Sequence, residues 1–163
     1  FDFLVYNLKI TKNMNENFYE VSEDTITDFF EVFDKKSFPI KIDFQFLGHR
    51  KQKGLIKISK ISDQYSAILA IELGSPRELL VTINEDLMDA FDEESRTILI
   101  EQEIDKINMN VESGKIKLVK TDLNTFASLV NKYGVEKVSR ANQVESLFIE
   151  QKEDSQDDDD FIV

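Results

Sequence analysis

The side chains best suited to chemistry lie in the run Glu101-Gln102-Glu103-Ile104-Asp105-Lys106. Three carboxylates alternate there. Glu101 and Asp105 are one helical turn apart, and Asp92, Glu93 and Glu94 precede them. Oxygen donors at that spacing suit a hard cation such as Ca²⁺ or Mg²⁺. The Asx-Gly loop spacing of calcium sites is missing, however, and a charge run on a helix usually forms a solvated face. Other chemistries have less to work with. The chain contains no Cys, which excludes disulfides, thiolate zinc sites, iron–sulfur clusters and Cys nucleophiles. His49 is the single histidine, so a metal site built on two imidazoles cannot form and a Ser-His-Asp catalyst is nearly excluded. No partners for His49 are evident nearby, and it reads as a surface residue of a basic turn. The other reading of His49 is a pH-sensitive contact.

Two charged segments stand out. His49-Arg50-Lys51-Gln52-Lys53, with Lys57 and Lys60, is the clear positive cluster. It could touch phosphate, or it could be a charged hairpin that keeps a strand soluble. The chain carries 20 basic and 32 acidic residues, a net charge of −12, which favours the hairpin. It also disfavours direct nucleic-acid binding and suits a basic protein partner. The second segment is acidic. From Glu150 to Asp160 the acids far outnumber Lys152, and Phe161-Ile162-Val163 follows. Asp157, Asp158, Asp159 and Asp160 could steer to a basic groove while Phe161, Ile162 and Val163 fill a pocket. The bland reading is a solubilising end, and docking back onto the basic turn is a third. An acidic run with an apolar tip is similar to the C-terminal tips of bacterial single-stranded-DNA-binding proteins, which recruit partners.

The elements that must carry these residues follow from apolar spacing. Ser22 or Asp24 can cap a helix over Thr25–Phe33, with Ile26, Phe29, Phe30 and Phe33 on one face. Ser37-Phe38-Pro39 ends it. Ile40 to Leu47 alternates as a half-buried strand, with Ile40, Ile42, Phe44 and Phe46 inward. Leu55–Ile61, Tyr65–Leu73 and Leu79–Ile83 are further expected strands. Asn84 starts a turn over Glu85–Phe91. Asp92 caps a helix of about 93–110, in which Ile100, Ile104, Ile107 and Val111 form one stripe. A short strand follows at Lys115–Val119, then a helix begun by Asp122 and stopped at Tyr133-Gly134, then a last helix over Val135–Gln151. Phe29, Phe30, Phe33, Phe44, Phe46 and Phe126 fall at core spacings. The order predicts an α+β fold with a small mixed or antiparallel sheet. Residues 1–150 form one domain, and 151–163 an acidic tail kept extended and mobile by self-repulsion.

Several runs taken together resemble one family. Leu80-Val81-Thr82-Ile83-Asn84 leads into a short turn, and Arg96-Thr97-Ile98-Leu99-Ile100-Glu101-Gln102-Glu103-Ile104-Asp105-Lys106 follows. Asp122-Leu123-Asn124-Thr125-Phe126 through Tyr133-Gly134 comes later, and Arg50-Lys51-Gln52-Lys53-Gly54 precedes them. This order is similar to that of the metallopeptidases of phages and prophages, over roughly Ile40 to Gln151. The resemblance implies a zincin-like fold. In that family a helix presents two histidines one turn apart that hold a metal, and the Glu between them activates water. Here the histidine positions are Gln102 and Lys106, and the third-ligand region is Lys120-Thr121. Glu103 alone remains, as a vestigial base expected to pair with Lys106 at i+3.

The resemblance therefore implies a zincin-like scaffold without its metal or other cofactor. The expected function is non-catalytic binding of a basic protein through the acidic surface and tail. A DNA-mimic-like inhibitor of a host nucleic-acid-binding protein is one concrete form. The alternatives are a peptidase with a metal on Glu101, Glu103 or Asp105, and a virion or replication accessory. No apolar run reaches membrane-spanning length, and the expected location is the cytoplasm, that of the host cell if the chain is phage-encoded.

Overall fold

A computed structural model describes residues 16–120 and 127–159, with the backbone alone at 127 and 151–159. Strand β1 (Phe18–Tyr19) leads into helix α1 (Glu23–Asp34), capped by Ser22, whose side chain accepts from Thr25 N. α1 buries Phe29 completely. The Phe29 ring meets Phe44 and Phe46 edge-on at 5.1 and 5.2 Å, so the five expected core Phe within the described residues do pack together. Phe126 lies outside them. Beyond the end of α1, Ser37 takes a positive φ of 52°, a left-handed turn that brings Phe38 back to stack on Phe33 at 5.0 Å.

The sheet contains β2 (Phe44–His49), β3 (Ile56–Lys60) and β4 (Leu79–Ile83), in the order β1-β2-β4-β3. β2 and β4 run parallel, with Phe44 opposite Leu79 and Gly48 opposite Ile83. β3 pairs antiparallel with β4, Ile58 opposite Val81, and β1 pairs antiparallel with β2. The basic turn is therefore not the tip of a hairpin, because β4 lies between β2 and β3. Leu79, Val81 and Ile83 are almost fully buried, which suits a central strand. Lys57 and Lys60 are exposed on β3, and lysines on an edge strand discourage further pairing. Ile40 was expected inward but is exposed and lies before β2.

Two expected elements differ. Tyr65–Leu73 is not a strand but belongs to helix α2 (Asp63–Leu73). A short apolar run has no period that separates strand from helix, and the caps decide. Ser62 accepts from Tyr65 N, and Gly74 closes the helix at φ 80°. No residue of α2 is buried. The helix expected over about 93–110 is α3 (Glu93–Ile104), capped by Asp92 and ended at Asp105. Ile107–Met109 is instead strand β5, paired antiparallel with β6 (Ile116–Leu118). The turn between them is made by Asn110, whose side chain accepts from Glu112 N and Ser113 N, and by Gly114. Ile107 is buried all the same, while Val111 sits exposed in the turn.

Helix α4 (Ala127–Tyr133) and helix α5 (Val135–Asp159) complete the chain. The start expected at Asp122 lies outside the described residues. α5 continues past Gln151 to Asp159. The architecture is α+β, and α3 runs through its middle: it packs against α1, β3 and α5, and every residue from Ile98 to Ile104 is buried.

Candidate functional site

The covered stretch of α3, Ile98 to Ile104, leaves its polar side chains little water. Each must then find a protein partner, because a buried unpaired charge is costly. α3 carries three consecutive cases, Glu101, Gln102 and Glu103, which are 2%, 7% and 8% exposed. Successive residues of a helix point in different directions, and the three side chains meet different partners.

Glu101 faces α1 and α4. Its Oε1 accepts from Lys36 Nζ at 2.7 Å and Lys132 Nζ at 2.9 Å, and its Oε2 accepts from Tyr133 Oη at 2.6 Å. Lys36 also reaches Asp105 at 2.7 Å. Burial works against the Glu101 carboxylate, but the bonds from Lys36, Tyr133 and Lys132 outweigh it and hold its pKa below the ordinary value. The Tyr133 hydroxyl is pushed well above its ordinary value, by burial first and then by Glu101. Lys36 is raised: burial opposes its charge, and Asp105 and Glu101 overcome that. The sequence reading of Glu101 as part of a solvated face is thus corrected.

Gln102 faces α5. Its amide pairs with that of Asn142, each donating to the other at 3.2 Å, and Asn142 also donates to Val138 O. The oxygen that could approach a cation is already an acceptor within this pair.

Glu103 faces β3. Its Oε2 accepts from Ile58 N at 3.1 Å, and its Oε1 accepts from Lys106 Nζ at 2.5 Å. The predicted i,i+3 pair is present. β3 is a sheet edge, so the Ile58 amide meets a carboxylate rather than a further strand. Beside this pair runs a cleft of about 410 Å³, lined by Gln52, Gly54, Ile56, Lys57, Glu103 and Lys106. A second carboxylate caps the start of the same edge, with Glu145 Oε2 accepting from Leu55 N at 3.1 Å. Burial raises the Glu145 pKa; the Leu55 bond offsets part of that, Glu103 adds to it and Lys106 opposes it. Glu145 escaped the sequence reading because no local pattern ties it to a strand 90 positions away.

The residues that the resemblance sets at the ligand positions do not suit a zincin metal centre. Gln102 is an amide engaged with Asn142. Lys106 carries an ammonium, which donates to Glu103 and would repel a dication. Thr121, in the third-ligand region, lies outside the described residues. A carboxylate-bound metal fares no better: Glu101 and Asp105 share Lys36, while Glu103 turns to β3. Among the described residues no group of three or more His, Cys, Asp or Glu could hold a metal ion.

The remaining sequence candidates lie elsewhere. His49 ends β2, half-buried and stacked on Phe18 at 4.5 Å, rather than standing in a surface loop. Asp157, Asp158 and Asp159 fall in α5, with the backbone alone described. Asp160, Phe161, Ile162 and Val163 lie outside the described residues. No helix of the described residues is long and apolar enough to cross a membrane.

No curated protein and no solved structure matches the chain. The family model described as "Putative phage metallopeptidase" matches residues 13–148. That match spans the sheet, α3 and most of α5, and with the mixed sheet packed on a central helix it agrees with the zincin-like α+β fold implied by the motifs. The chain therefore belongs to the phage metallopeptidase family.

Proposed function

We propose that this protein is a non-catalytic member of its family, acting by binding a basic protein partner through its acidic surface and tail. The observation that carries the first half is the Glu103–Lys106 pair on Ile58 N. The carboxylate that would activate water is held by two donors. One of them is the residue at a ligand position. The second half is supported by the net charge of −12 and by the acid-rich run from Glu150 to Asp160 ahead of Phe161-Ile162-Val163. A negative surface steers a basic partner and speeds its encounter. A host nucleic-acid-binding protein offers such a surface, and occupying it would mimic DNA.

The two halves are tested separately. Zinc titration of chelator-treated protein by calorimetry should show no micromolar binding. Affinity at that level would restore a carboxylate-ligated enzyme. Pull-down with the full chain should retain a basic partner at low salt and lose it at high salt. A chain shortened after Gln151 should retain less. Equal retention by both chains would remove the tail from the interface.

A further inference from the structure

The geometry points to a second site, on the β2 side of the sheet, for a small carboxylate with an aromatic or branched apolar body. A cleft of about 600 Å³ opens between the end of α1 and the start of β2. That volume falls within the range of about 300–1,000 Å³ typical of small-molecule sites. Phe30, Phe33, Phe38, Ile42 and Phe44 line it, and Arg77 joins them from just ahead of β4.

The walls are fixed before any ligand arrives. Phe33 stacks on Phe38 at 5.0 Å and meets Phe44 edge-on at 5.0 Å. Phe30 meets Phe33 and Phe44 at 6.2 Å each. Phe30, Phe33 and Phe38 are only half-buried, so the lining keeps apolar surface available to a guest.

Arg77 gives the site its polarity. A guanidinium has five N–H donors. One nitrogen, Nη1, donates to Phe44 O at 3.3 Å. Nε is buried and hydrogen-bonds nothing among the described residues, and Arg77 forms no ion pair with them. The second terminal nitrogen, Nη2, also hydrogen-bonds nothing among the described residues and, unlike Nε, is not fully covered, so a carboxylate can reach the guanidinium there.

The charges at the mouth narrow the ligand further. Lys41 pairs with Asp43 at 3.7 Å, and Asp34 stands exposed beside them. These two acids repel a polyanion such as the run 157–160 several times more strongly than a single carboxylate. A single carboxylate on an apolar body can instead enter with its charge on Arg77. The body then replaces water against the Phe rings.

The test uses the full chain with 3-phenylpropionate and its neutral analogue 3-phenylpropionamide, followed by calorimetry and backbone amide shifts. The acid should bind with a dissociation constant on the order of 0.1–1 mM, as expected for so small a ligand. The amide should bind about ten-fold more weakly, reflecting one lost charge-assisted bond. Arg77→Gln should reduce the acid to the level of the amide and leave the amide unchanged. Shifts should centre on Phe33, Phe38 and Phe44. Equal binding of acid and amide, or acid binding indifferent to Arg77→Gln, would overturn the site. So would a lack of binding at about 10 mM, far above that range. A peptide of residues 150–163 seated there in place of the acid would overturn the ligand class. If Arg77→Gln does not fold, Phe38→Ala serves as the second variant. It should weaken acid and amide alike, and no effect on either would also overturn the site.

Discussion

Removing the ammonium at Lys106 tests whether its pair with Glu103 serves the fold. In Lys106→Met the Glu103 carboxylate keeps Ile58 N but loses its cation. The two side chains are 28% and 11% exposed, between the exposed and buried limits. Exposed pairs contribute about 0–1 kcal/mol, and breaking a buried pair costs about 3–5 kcal/mol. A loss of about 2 kcal/mol is therefore expected, or roughly 4–8 °C in Tm for a chain of this size. Glu103→Gln should also lose stability, since it leaves Lys106 without its acceptor. The double variant Glu103→Gln/Lys106→Met should lose less than the sum, because the amide oxygen can still accept from Ile58 N with no stranded charge. Urea unfolding of all four proteins gives the coupling energy directly, and about 1 kcal/mol or more is expected for groups in contact. Additivity within about 0.3 kcal/mol would refute the reasoning. A gain of stability in Glu103→Gln alone would refute it as well, since that is the mark of a strained residue kept for activity.

Three further outcomes follow from the same geometry. Glu101→Gln should cost about 2 kcal/mol at neutral pH, since Lys36 and Tyr133 lose a charged acceptor, whereas Lys132, 55% exposed, returns to water. Because the folded Glu101 pKa lies below 4.5, its contribution is complete above that value. The gap from the parent protein should close as pH falls through the folded pKa. Glu145 has the opposite sign: its folded pKa is raised above 4.5, so its charge costs stability at neutral pH. Glu145→Gln, which keeps an acceptor for Leu55 N, should raise Tm at neutral pH, with the gain vanishing as pH falls towards 4.5. Gly48→Ala should cost about 1–3 kcal/mol by overpacking. A Cβ there would overlap the Tyr19 ring, which its bonds to Ile83 O and Glu85 N hold in place. An unchanged urea midpoint would show that the ring moves.

Local signals located most of the elements. Ser22 and Asp92 cap their helices as their side chains suggest, and the Leu79–Ile83 run forms a buried strand. The Glu103–Lys106 pair was also legible, because a three-residue spacing on a helix brings two side chains together whatever surrounds them. Ile107 shows where such reasoning fails. It continues the apolar stripe of α3, yet belongs to β5, because pairing with β6 and the Asn110 turn outweigh one more helical turn. α2 shows the converse: its caps point to a helix, but its apolar run hides the period. The solvated face expected at Glu101 failed for a different reason. Periodicity describes one helix at a time and says nothing of how many neighbours will cover it.

By itself the sequence determined what chemistry is impossible and where the chain turns. With one histidine and no cysteine it excludes an imidazole-pair metal centre, and the family resemblance sets Gln102 and Lys106 where ligands would stand. Only the tertiary structure decided what those positions do instead. α1, α5 and β3 pack on α3 from distant parts of the chain, and α4 reaches Glu101 through Lys132 and Tyr133. Little water then reaches Glu101, Gln102 and Glu103, and each takes the partner that faces it. Lys36, Asn142 and Ile58 carry no local mark of that role. They acquire it because burial makes an unpaired polar group too costly to leave.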